Sequence, residues 1–188
     1  MRTPALVAIS MCILAYFAPG TAYAQSREED DAVRTRFAVG GYVGATGVPG
    51  WHGGGGMGAY GRAGVQFSEL VGGDIELSGA TLLLAGSGRL ALTLDFTPND
   101  HISVGTGASL SGFYTTSIGA GSDYSGSIVG APLRIAIHPG RVRHDDDRRR
   151  GFELLVEADL GLVWRTNRGS HQGDPGGGLH AGFGYAWF

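Results

Sequence analysis

The chain has one cysteine and no lysine, and beyond residue 24 it has no apolar run of the roughly 18 residues that a membrane helix needs. The lone Cys12 lies in a stretch that reads as an export signal. Arg2 supplies the positive start, Ala5 to Ala18 the apolar segment, and Pro19-Gly20 the break. Ala22-Tyr23-Ala24 has the small-x-small form that signal peptidase accepts. A retained anchor is disfavoured because the apolar segment is short. A lipoprotein is disfavoured because Met11, not a small residue, precedes Cys12. Cleavage after Ala24 takes 24 of the 188 residues and leaves 164 without cysteine. That excludes a disulfide framework, a thiolate metal site and a cysteine nucleophile, and the length suits one domain.

With lysine absent, all 14 basic side chains are arginine, against 17 acidic ones, for a net charge of −3. A slightly acidic chain is not expected to bind nucleic acid. Without a membrane helix, a bilayer can be crossed only by strands whose backbone groups are all paired, in a closed barrel.

What is present is alternation. In the last stretch, Leu179, Ala181, Phe183, Tyr185 and Trp187 fall on one face of an extended chain, and His180, Gly182, Gly184 and Ala186 on the other, before the terminal Phe188. Seven earlier runs share the period of two: 35–45, 57–67, 72–85, 89–97, 101–112, 127–138 and 152–165. The third run puts Leu83 with Ile75 and Leu77 on its apolar face. The seventh sets Phe152, Leu154, Val156, Ala158, Leu160, Leu162 and Trp164 against Glu153, Glu157, Asp159 and Arg165. Pro98-Asn99-Asp100 has the composition of a tight turn, and the glycine runs 52–56 and 173–178 read as flexible linkers. The acidic, aperiodic 25–34 reads as a disordered lead-in to a barrel over 35–188.

Alternation does not say which face is inside. A soluble barrel would turn the apolar face inward. The inverted arrangement is favoured because the polar face is mostly Gly, Ala and Ser around a few long charged chains, which suits an eight-strand lumen. Phe37, Phe67, Phe96, Phe152, Trp164 and Trp187 also lie near strand ends on the apolar face, as aromatic girdles do. The lumen then holds Arg36, Arg62, Arg89, Arg134 and Arg165 against Asp74, Glu76, Asp95, Glu153, Glu157 and Asp159. Such a near-balanced set makes either a salt-bridged plug or an ion-selective path, and the plug is the expectation.

The signal, eight alternating segments and aromatic terminus together resemble the OmpA/OmpX-like eight-stranded outer-membrane barrels of Gram-negative bacteria. The resemblance implies an all-β, antiparallel up-and-down transmembrane barrel in the outer membrane with both termini in the periplasm. The turns near Trp51, Leu84, Tyr114 and Ser170 would then face outward. It implies contact with outer-membrane lipid and lipopolysaccharide, and with the barrel-assembly machinery during biogenesis. The assembly machinery would read Phe183, Tyr185, Trp187 and Phe188, although the bulky face ends one residue early, at Trp187.

No catalytic, cofactor or metal residues are assigned. His52, His171, Ser117, Ser122 and Ser170, with Asp123 and Asp174, supply the residue types of a hydrolase but no spacing that fixes them. His101-Ile102-Ser103 has a spacing used by lipid-deacylating barrels but falls at the periplasmic end. Asp145 to Arg150 reads as a self-compensating solvated turn. The functional expectation is a non-enzymatic barrel with a structural or surface-interaction role. A narrow pore for small solutes and, more remotely, a lipid-modifying enzyme stand as alternatives.

Overall fold

The computed structural model describes residues 34–50, 52–68, 70–99, 101–116, 123–139, 142–143, 149–167 and 171–187. The signal peptide, the lead-in up to residue 33, Trp51, Ser117, Ser122, residues 144–148, Ser170 and Phe188 lie outside the described residues.

Every run of alternation becomes a strand: β1 (Arg34–Gly47), β2 (Gly53–Gln66), β3 (Val71–Leu82), β4 (Ala85–Asn99), β5 (Ile102–Thr115), β6 (Tyr124–Ile137), β8 (Arg149–Thr166) and β9 (Pro175–Trp187). A two-residue strand, β7 (Val142–Arg143), pairs only with the start of β8. Each long strand pairs antiparallel with its sequence neighbour. β1 pairs with β9 and β6 with β8, so the sheet has no free edge among the eight. Closure gives each of the eight long strands a partner on both sides, which is the condition for crossing lipid. No described helix is long and apolar enough to cross a membrane.

The apolar face points outward. Leu90, Leu92, Leu94, Leu154, Val156, Leu160, Leu162 and Phe183 are all exposed, Leu160 to 76%. A continuous apolar belt of this kind has no place on a protein surrounded by water. Phe37, Phe67, Phe96, Phe152, Tyr185 and Trp187 gather at the end of the barrel where the strands begin in β1 and finish in β9. There Tyr185 packs edge-on against Phe152 and Trp187. Trp164 stands at the opposite end, exposed.

Three segments differ from the sequence reading. The glycines 53–56 and 176–178 are not linkers but strand: Gly53–Gly56 pair with Gly44–Gly47, and Gly176–Gly178 with Asp159–Gly161. The rim demands glycine there, since a Cβ on Gly54 would meet the Tyr114 backbone oxygen at 2.6 Å. The third run stops at Leu82, and Leu83-Leu84 make a two-residue turn in which Leu83 has φ 48°. Nothing in Leu-Leu announces a turn; the register Leu82↔Ala85 imposes it. Pro98 and Asn99, expected in a tight turn, instead end β4, and Asp100 lies outside the described residues. The Asn99 side-chain oxygen accepts hydrogen bonds from the His101 and Ile102 amides at 2.8 and 3.0 Å.

The pairing of β5 with β6 is interrupted between Thr106↔Leu133 and Ser109↔Gly130. Pro132 lies at that level and has no N–H to give.

Candidate functional site

Inward positions alternate with the outward belt, so the lumen is built from every second residue. Ten of the eleven charged side chains expected there are inside and at most 5% exposed: Arg36, Arg62, Asp74, Glu76, Arg89, Asp95, Arg134, Glu153, Glu157 and Asp159. Arg165 is the exception. Ser127 pairs with Arg165 and Ile128 with Val163, so Trp164 is an extra residue in a bulge. Past the bulge the alternation changes phase: Arg165 turns out and is exposed, and Thr166 is buried.

Arg134, on β6, is the hub. Its Nη2 donates to Asp95 at 2.6 Å, Thr93 at 2.6 Å and Asp74 at 3.0 Å, and its Nη1 donates to Glu76 at 3.2 Å. Arg36 donates to Asp95 at 2.9 Å and lies 3.5 Å from Asp74. Arg89 donates from Nη1 to both Glu76 and Glu157 at 2.6 Å, and its Nε lies 2.8 Å from Asp159. Ser109 donates to Asp159 at 2.9 Å. These partners come from strands far apart in sequence: Arg134 and Asp74 are 60 residues apart.

A second group lies nearer the terminal end. Arg62 pairs with Glu153, which also accepts from the Tyr60 hydroxyl at 2.9 Å. Tyr60 fits because its neighbours in the same row on β1 and β9 are glycines. A Cβ on Gly40 would sit 2.6 Å from the Tyr60 ring, and one on Gly184 would strike its hydroxyl. The Ser103 hydroxyl lies 3.4 Å from His138 Nε2, and His138 Nδ1 lies 3.9 Å from Glu153. Serine, histidine and acid thus stand in hydrolase order, which sequence spacing does not suggest. Yet Ser103 is only 3% exposed and Glu153 is committed to Arg62 and Tyr60.

Toward the turn-rich end the lumen is apolar. Val48, Phe113, Ile128 and Val163 form one buried cluster. At that rim His171 pairs with Asp174 at 2.7 Å, and His52 stacks on Tyr124 with ring centres 3.5 Å apart. The serines proposed alongside these histidines, 117, 122 and 170, lie outside the described residues. Among the described residues, no group of three or more His, Cys, Asp or Glu is placed to hold a metal ion.

On the outer face Phe183, Tyr185 and Trp187 share the lipid side of β9, while Ala186 faces in and is buried.

No family model and no curated protein matches the chain. Its fold is similar to the crystal structure of Ail, the attachment invasion locus protein of Yersinia pestis. The identity is 13%, with 81% of this chain and 97% of that chain covered and a TM-score of 0.49. It is similar also to Neisserial surface protein A, at 10% identity, covering 80% of this chain and 95% of that one, with a TM-score of 0.49. Both likenesses concern the fold alone. Eight antiparallel strands in sequence order, closed β1 to β9, with grease outside and ions within, give this chain the architecture of the OmpA/OmpX-like outer-membrane barrels.

Proposed function

We propose that this protein is an integral outer-membrane barrel without catalytic activity, whose filled lumen braces surface turns with a structural or interaction role. The observation that carries the reading is the buried, cross-strand ion network centred on Arg134, backed by the apolar cluster of Val48, Phe113, Ile128 and Val163. Charges held in pairs between four or more strands fill the cross-section and tie the wall together; an open path would leave them hydrated. In this reading the signal of residues 1–24 is removed on export and both termini lie in the periplasm. The belt contacts outer-membrane lipid and lipopolysaccharide, and the assembly machinery reads Phe183, Tyr185, Trp187 and Phe188.

The test begins with fractionation. The protein is expected in the membrane fraction after high-salt and urea washes, with heat-modifiable migration on gels; recovery in the soluble periplasm overturns the reading. In planar bilayers the purified protein is expected to give no stable open conductance. Large steady currents, or swelling of liposomes in small solutes, establish the narrow-pore alternative instead. Mass spectrometry of lipid A and phospholipids, with and without the gene, is expected to show no modified species.

A further inference from the structure

The charged lumen is unbalanced. Arg62 and Glu153 match one to one, which leaves Arg36, Arg89 and Arg134 to face Asp74, Glu76, Asp95, Glu157 and Asp159. Among the described residues, three guanidiniums against five carboxyl groups, each at most 5% exposed, leave two carboxyl groups with no guanidinium to match. The phase change that puts Arg165 outside removes the cation that would have narrowed the gap. Uncompensated charge in a water-poor interior is costly enough that a carboxyl group takes a proton instead.

The hydrogen positions point the same way. Arg134 Nη2 carries two hydrogens, yet four oxygens lie within 3.0 Å of it: Asp74 Oδ2, Thr93 Oγ1 and both oxygens of Asp95. Asp74 and Asp95 share that nitrogen and also Arg36 Nη2, so the two carboxyl groups lie side by side. Glu76 and Glu157 likewise share Arg89 Nη1.

An independent observation comes from the far wall. Glu157 Oε1, Asp159 Oδ2 and His180 Nδ1 are buried without a hydrogen-bond partner, and His180 Nδ1 lies 3.8 Å from Asp159 Oδ2. Arg89 Nη2 is an orphan donor on the same network. Glu157 and His180 line a cavity of about 10 Å³, with Tyr42, Tyr60, Glu76 and Ser78 around it. That is room for about one water, and Glu157 Oε1 and His180 Nδ1, which lack a partner, belong to residues that line it.

We propose that this cluster is a hydrated proton-binding site. At neutral pH it holds two protons, one between the paired carboxyl groups of Asp74 and Asp95 and one on Glu76, with a water seated beside Glu157 and His180. The basic groups facing it are Arg36 from β1, Arg62 from β2, Arg89 from β4 and Arg134 from β6, with His180 on β9 and His138 beside Glu153; Tyr42, Tyr60, Ser78, Thr93 and Ser109 are neutral neighbours. Folding therefore takes up protons, and the site empties as pH rises. Two unmatched charges then stand in the lumen, and the wall around Arg89 and Arg134 loosens.

Infrared spectroscopy of the barrel refolded into phosphatidylcholine vesicles tests this. The wild type is expected to show a carboxylic-acid C=O band at neutral pH, equivalent to two groups and lost on alkaline titration. Glu76→Gln is expected to halve the band, and the Asp74→Asn/Glu76→Gln double variant to abolish it while keeping heat-modifiable migration. A wild-type spectrum without the band at neutral pH overturns the proposal, and that readout does not depend on any variant folding. So does a nitrogen NMR spectrum in which His180 is an imidazolium, since the proton then sits on the ring. The proposal rests on the lumen being closed: a missing band in a conducting barrel refutes the plug, whereas a missing band in a silent barrel refutes only the protons.

Discussion

The two layers of the lumen are held by different forces. The middle layer, around Arg134, is ionic: its side chains are long and its partners come from β1, β3, β4, β6 and β8. The layer toward the turns is apolar: Val48, Phe113, Ile128 and Val163 meet there without a charge. An ionic layer is strong only while complete, because each group removed strands a buried partner. An apolar layer loses stability in proportion to the volume taken out and tolerates partial collapse. The difference predicts that damage is graded at the rim and abrupt in the middle.

The largest effect is therefore expected at the hub. Arg134→Met removes the cation shared by Asp74, Glu76 and Asp95, and is expected to cost about 3–5 kcal/mol. Urea titration of the folded, heat-modifiable form in lipid vesicles reads this; a loss below about 1 kcal/mol means the middle layer is hydrated and loosely held. Ile128→Ala cuts the apolar layer and is expected to cost about 2 kcal/mol, at the low end for such truncations, because the glycine-lined rim can close in. If the two variants cost the same, the contrast between the layers fails.

Smaller effects sharpen the boundary. Leu83, 93% exposed with φ 48°, occupies a conformation that L side chains avoid. Leu83→Asn is expected to stabilise the barrel by about 0.5 kcal/mol, since Asn tolerates that region without glycine's entropy. A destabilised variant would show that the leucine tip is held by contacts with its surroundings. The smallest effect belongs to Arg165→Ala: outside the lumen it is expected to change stability by less than about 0.5 kcal/mol. A cost near that of Arg134→Met would put Arg165 back among the lumen charges.

The strands were legible because a sheet between lipid and a narrow interior writes its two environments into alternate residues. Phe152 to Leu162 on β8 carry that record almost without interruption. The same logic located ten lumen charges, but it failed at Arg165, where one extra residue reversed the phase. A bulge has no composition of its own: Leu162-Val163-Trp164 looks like continuing strand. The Leu83-Leu84 turn was hidden for the same reason, and the rim glycines were misread because flexibility and crowding both favour glycine. Which arginine meets which acid was not legible at all. Asp74 and Arg134 are brought together by ring closure, and local sequence holds no trace of it.

Pro132 sits where the ladder between β5 and β6 loses its rungs. In such a wall, strain from a bending or thinning bilayer concentrates where the ladder between described strands is interrupted. Deuterium entering the amides beside Gly107 and Ala108 ahead of their neighbours would mark it as the hinge line on which the wall flexes.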